Sequence, residues 1–280
     1  MMIKTSTLLK ALVRNQSGGN SAKAQLIIRN YIMGRFLVRV SKTSYRDNII
    51  IKGGALIASV VGVDKRSTMD IDSTIQNLDL SEDNILEMVE EIIAIDAEDN
   101  VIFEITSTEA IMGEMDYPGI RVKIKAAIDS MQTPFILDFS AGDIITPRAI
   151  EYNYKLMFNQ GDIKILAYNL ETVLAEKFET IISRSIANTR MRDFYDVNTI
   201  LSIDSNFNYK NFNSALKNTS MQRGSYETIR EWATIIDEIE IEEGMKKLWV
   251  SYQSKFDYAE NVSWKAVVES IKKLGNDLVL

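Results

Sequence analysis

The stretch IIIKGGALIASVVGVDKRSTMDIDSTI, residues 49–75, constrains this chain more than any other. A β-branched run at 48–51 reads as a short strand. The Gly53–Gly54 pair turns it, and a helix is expected from about Ala55. Residues 69–75 then alternate as Met, Asp, Ile, Asp, Ser, Thr, Ile, the period of a second strand. Residues two apart on a strand share a face, so Asp70 and Asp72 present two carboxylates side by side. Met69, Ile71 and Ile75 are expected towards the core. Like charges that close are unfavourable unless a cation lies between them. A divalent ion held by paired aspartates, waters and substrate phosphates is what phosphoryl- and nucleotidyl-transfer sites need. A glycine turn lets backbone approach phosphate oxygens, which suits the same chemistry. The plainer alternative is a tight turn followed by two exposed aspartates at a strand edge.

Two absences narrow the chemistry. The chain has no cysteine, which excludes disulfides, thiolate nucleophiles and Cys-based zinc or iron–sulfur sites. It has no histidine either, so the commonest general base and transition-metal ligand are missing. Catalysis must run on carboxylates, lysine, arginine, hydroxyls or a hard metal such as magnesium or manganese. No apolar run is long enough to cross a bilayer, and Lys10 and Arg14 interrupt the N-terminal apolar stretch, which makes a poor signal peptide. A cytoplasmic location is expected.

The net charge of −7 is unevenly placed. Residues 1–50 hold nine Lys/Arg against Asp47 alone, so the rest of the chain is strongly acidic. A basic lead-in meets a polyanion or forms a solvated amphipathic face; composition leaves both open.

Along the chain, residues 5–40 read as helices separated by a QSGGNS turn. SEDNILEMVEEII reads as a helix capped by Ser81. VIFEITSTEAI, RVKIKAAI and FILDFSA are strand candidates, and beyond about residue 165 the pattern becomes helical. The expected organisation is a basic helical segment at 1–45, a mixed core at 46–160 and a helical domain at 161–280.

Within FILDFSAGD, Asp138 sits in an apolar strand pattern, where an unpaired carboxylate is expensive to bury. It reads as a third ligand, a general base or a strand-end cap. In LAEKFETIISRSIANTRMRDFYD, Lys177 and Arg184 lie seven apart on one helix side, and Arg190, Arg192, Asp193 and Asp196 follow a break at 187–188. These are phosphate-binding cations or members of a surface ion-pair ladder.

As an ordered set, K-G-G at 52–54, R-S-T-M-D-I-D at 66–72, L-D-F-S-A-G-D-I-I-T-P at 137–147, A-E-K-F-E-T-I at 175–181 and N-T-R-M-R-D-F-Y-D at 188–196 resemble the AbiEii/AbiGii family. These are nucleotidyltransferase toxins of abortive-infection and type IV toxin–antitoxin systems, related to DNA polymerase β and to the MenT toxins. The resemblance implies an α+β fold: a polymerase-β-like core, a mixed sheet flanked by helices, with a helical N-terminal segment and an α-helical C-terminal domain. It implies Mg2+ or Mn2+ bound by Asp70, Asp72 and Asp138, and a catalytic set of those three with Lys177 and Asp193. Nucleotide contacts would come from Lys52, Gly53, Gly54, Arg66, Thr68, Arg121 and Lys177. The spacing of fifteen residues between Gly54 and Asp70 is longer than in many members of the superfamily.

The function so implied is transfer of NMP from an NTP, GTP or a pyrimidine nucleotide, to an RNA acceptor at the tRNA 3′ end. That would stop growth in toxin–antitoxin and antiviral settings. The cognate antitoxin need not touch this chain, and no membrane is involved. Modification of a protein target and a catalytically silent nucleotide-binding module are the alternatives.

Overall fold

In a computed structural model, residues 2–111, 119–203 and 207–278 are described. They group into two compact units: Met1–Asp143 with Ile150–Ala167, and Ile144–Ala149 with Tyr168–Leu280. As the resemblance implied, the fold is α+β.

The first unit opens with α1 (Ser6–Ser17) and α2 (Ser21–Val40), broken at the expected glycine turn by Gly18 in the left-handed region. Then come β1 (Ile49–Lys52), α3 (Gly53–Val61), β2 (Asp70–Ile75) and α4 (Glu82–Ala94), whose Ser81 side chain caps the first turn as expected. β3 (Ile102–Ile111), β4 (Gly119–Ile128) and β5 (Met131–Ala141) match the three strand candidates. β6 (Ile150–Lys155) and β7 (Asp162–Ala167) were not expected, because each is short and half polar. The sheet order is β3-β4-β5-β2-β1-β7-β6. The β2–β5 and β1–β7 pairs are parallel and the others antiparallel.

The two faces of this sheet differ, as period-two alternation dictates. Ile71, Val122, Ile124, Phe135, Leu137 and Phe139 are all at most 3% exposed. On that side α2 lays Phe36 edge-on against Phe103 and Phe135, with centroids about 6 Å apart. Ile71 and Ile75 point inward as expected. Met69 does not: it precedes the strand and is 56% exposed.

α2 is also tied down by charge. Asp99, fully buried, accepts from Arg35 Nε at 2.6 Å and from both Nη atoms of Arg39 at 2.9 and 2.8 Å. Its burial favours the neutral acid, but the hydrogen bonds from Arg39 and Arg35 outweigh that and hold its pKa at about 2. Two of the nine N-terminal cations are thus internal. Lys23 pairs with Asp64 at 3.0 Å, Arg29 donates to the Pro134 carbonyl and Arg46 lies against Asp47. Lys4, Lys10, Arg14 and Lys42 remain exposed.

The second unit is helical: α5 (Leu170–Arg184), α6 (Met191–Ile203), α7 (Tyr209–Gln222), α8 (Tyr226–Arg230), α9 (Trp232–Ile241), α10 (Glu243–Lys255) and α11 (Trp264–Asn276). Asn169 caps α5 through Thr172 N–H. The core is aromatic, with Phe178 edge-on to Phe212 and Phe194 against Trp264. Among the described residues no helix is long and apolar enough to cross a membrane.

Removing the Asp99 charge leaves two buried guanidinium groups without a counter-ion. Asp99→Asn is expected to lower stability by about 3–5 kcal/mol in urea denaturation at pH 7. Because the folded pKa lies below the unfolded value, this stabilisation is complete above about pH 4 and fades as pH falls towards 2. The wild-type and variant curves should therefore converge in acid; a constant gap would contradict the assignment.

Candidate active site

On the polar face of the sheet, strand register places five charged residues in one cross-strand row. Lys52 on β1 faces Asp72 on β2, Asp72 faces Asp138 on β5, Asp138 faces Arg121 on β4, and Arg121 faces Glu109 on β3. The charges run plus, minus, minus, plus, minus. Asp70 lies two residues from Asp72, half-buried on the same face.

The two central carboxylates are treated differently. Arg121 holds Asp138 with two parallel hydrogen bonds, Nε to Oδ1 at 2.8 Å and Nη2 to Oδ2 at 2.7 Å. Asp138 is 4% exposed, and its hydrogen bonds push the Arg121 pKa further up. On the other side, Lys52 Nζ donates to Ser140 Oγ at 2.8 Å and Asp143 Oδ2 at 2.6 Å. Burial of Asp143 opposes its charge, but the Lys52 charge together with hydrogen bonds from Lys52, Ser140 and Thr74 outweighs that and lowers its pKa. Lys52 is therefore shared, and Asp72 receives only part of its compensation. Burial first, then the neighbouring charge of Asp70 and that of Asp138, push the Asp72 pKa up to about 6 against the opposing pull of Lys52 and the Gly54 N–H.

The double glycine serves this carboxylate. Gly53 has φ +60°, and a Cβ there would fall 2.1 Å from Asp72 Oδ2. Gly54 donates its N–H to the same oxygen at 3.3 Å, and a Cβ on it would meet Thr68 Oγ1 at 2.6 Å. The helix is entered at Gly53, two residues before the expected position. Thr68, buried, donates to Asp70 Oδ1 at 2.5 Å. Arg66 is 1% exposed, donates to the Ser67 carbonyl and sets its guanidinium behind Gly54.

Lys177 and Asp193 belong to the second unit. Lys177 Nζ on α5 lies 2.7 Å from Asp193 Oδ1 and 2.7 Å from Asp196 Oδ2, both on α6 and both buried. Arg190 Nε approaches the other Asp193 oxygen at 2.9 Å. Asp196 completes this cluster and was missed as a site residue. Its spacing of three from Asp193, one helical turn, was the available signal. Arg184 is exposed at the end of α5. Ser140 and Asp143 were missed too, although both lie in the quoted L-D-F-S-A-G-D run.

A family model described as nucleotidyl transferase AbiEii toxin, type IV TA system, matches residues 35–270. The chain belongs to the AbiEii nucleotidyltransferase toxin family. It is accordingly a nucleotidyltransferase, and the AbiEii assignment carries an NTP substrate and an antitoxin partner with it. Among curated proteins the sequence has no match. Of solved structures, MenT4, a nucleotidyltransferase toxin from Mycobacterium tuberculosis H37Rv, is similar with a TM-score of 0.54 at 14% identity, covering 95% of this chain and 98% of that one. A provisionally assigned nucleotidyltransferase from H. pylori gives a TM-score of 0.51 at 14% identity, covering 91% and 96%. These likenesses place the AbiEii chain in the same fold.

Because the Asp72 pKa is raised, its charged form opposes folding as pH rises from about 4 through about 6. Without divalent ions, Asp72→Asn is expected to be more stable than wild type by roughly 2 kcal/mol at pH 7.5 and equal to it at pH 4. Urea denaturation at both pH values checks this. A variant less stable at pH 7.5 would show that the carboxylate is well compensated.

Proposed function

We propose that this AbiEii enzyme transfers NMP from an NTP to an RNA acceptor, the 3′ end of a tRNA, in a metal-dependent reaction. The observation that carries the reading is the Asp70–Asp72 pair on one strand face, with Asp72 crowded by negative neighbours and only partly served by Lys52. The donor set is all oxygen, which fits Mg2+ or Mn2+. Among the described residues no group of three or more acids is arranged to hold a metal. Asp70 and Asp72 are the residues that would hold the ion. When bound, it supplies charge neutralisation for the phosphates and activation of the acceptor hydroxyl.

The remaining roles follow from position. Lys52 holds the Asp72 end of the row and, with Gly53, Gly54 and Thr68, shapes the floor on which a triphosphate would lie. Arg66 keeps the turn from beneath. Asp138 is the third acid of the catalytic set that the resemblance implies, and Arg121, bonded to both of its oxygens, offers a half-exposed guanidinium at the rim. Lys177 and Asp193, assigned to the reaction through the family motifs, form a buried ionic cluster with Asp196. GTP or a pyrimidine nucleotide is the donor favoured by resemblance, and growth arrest in antiviral defence the biological setting. The four exposed N-terminal cations are suited to an RNA backbone.

The test is mass analysis of tRNA and of total protein after incubation with each labelled NTP and Mg2+ or Mn2+. The expected result is tRNA heavier by one or more nucleotides, with label at its 3′ end, and loss by at least about 10²-fold in Asp72→Asn. Label on protein instead would favour the second acceptor class. Absence of label on both would contradict the reading.

A further inference from the structure

The resemblance gives a cation three acids, yet the third of them is already occupied. Asp138 accepts two charge-assisted bonds from one planar guanidinium, the strongest arrangement that a carboxylate makes with a side chain. Both of its oxygens are used in this way. The pair is built into the sheet: Arg121, the third residue of β4, and Asp138, three residues before the end of β5, face each other in the β4–β5 register. The competing acid for Arg121 is also committed, since Glu109, its other cross-strand neighbour, lies 3.2 Å from Lys123 Nζ. Among the described residues, no such two-bond guanidinium pair is made with Asp70 or Asp72. Thr68 donates to the first, and a backbone N–H donates to the second.

We propose that Arg121 is a positioning residue that keeps Asp138 outside the cation-binding set of the nucleotide-free enzyme, so that a divalent ion is held there by Asp70 and Asp72 alone. This rests on the nucleotidyl-transfer reading, in which those two acids bind the ion. The guanidinium side chain is 32% exposed and the carboxylate side chain 5%, so Arg121 is the member of the pair that reaches solvent. In its place a neutral side chain would leave three carboxylates facing the same polar side with Lys52 already shared, a set that a hard divalent ion would neutralise.

The experiment is Mn2+ binding to the full chain without nucleotide, followed by the electron paramagnetic resonance signal of free Mn2+. Asp72→Asn is expected to abolish binding. Asp138→Asn is expected to leave the Mn2+ affinity within about twofold of wild type, since its carboxylate is not a ligand in that state. Arg121→Gln is expected to tighten binding by about tenfold, and Arg121→Gln with Asp138→Asn to return it to the wild-type value. A general structural defect weakens binding, so the gain in affinity separates a positioning role from a merely structural one. The inference is overturned if Asp138→Asn weakens binding as much as Asp72→Asn does, or if folded Arg121→Gln binds as wild type does. Should Arg121→Gln fail to fold, Asp138→Asn decides alone, because it leaves a half-exposed arginine and no buried charge. Wild type that binds no Mn2+ overturns the two-acid cation site itself, whereas wild type that binds with Asp138→Asn impaired overturns only the role of Arg121.

Discussion

Asp72 faces Asp138 across a parallel strand pair six residues long, and that register keeps both side chains on one face of the sheet. Much of the first unit's polar chemistry answers this juxtaposition. Arg121 neutralises one member through two hydrogen bonds. Lys52 stands opposite the other but divides its charge with Asp143 and Ser140. Gly53 clears the space above Asp72 in a conformation that L side chains rarely adopt, and Gly54 donates its N–H to the same carboxylate. The outcome is one satisfied carboxylate and one poised near neutrality, side by side. A protein selected for stability alone would not keep such an arrangement, which is why it reads as a site.

Much of this was legible in the sequence because strand and helix periods place residues without knowledge of tertiary contacts. The alternation at 69–75 put Asp70 and Asp72 on one face, and FILDFSA put Asp138 on a strand. What periodicity does not carry is strand order. Nothing local says that β2 lies between β1 and β5, so the row from Lys52 to Glu109 and the Arg121–Asp138 pair could not be foreseen. β6 and β7 escaped for a related reason. Tyr152 and Tyr154 alternate with Glu151, Asn153 and Lys155 in too short a run to stand out. Met69 was expected inside because it continues the alternation, but the strand begins one residue later.

Charge read as composition was a poorer guide than charge read as position. The excess of cations in residues 1–50 suggests a basic face, yet Arg35 and Arg39 are buried around Asp99 and help fix α2 to the unit. They occur one turn apart on a helix whose neighbours are apolar, which was the available sign of burial. In the second unit the same logic holds. Lys177 read either as a phosphate-binding cation or as a member of a surface ion-pair ladder, and it is shared between two buried carboxylates of α6.

The most direct measurement is the thermal unfolding midpoint of wild type and Asp72→Asn at pH 7.5 across a Mg2+ titration. A cation bound only by the folded state raises the midpoint with the logarithm of its concentration above the dissociation constant. The expected result is such a rise in wild type, reversed by chelator, and its loss in Asp72→Asn. Equal responses in the two proteins would contradict a cation centre on Asp70 and Asp72.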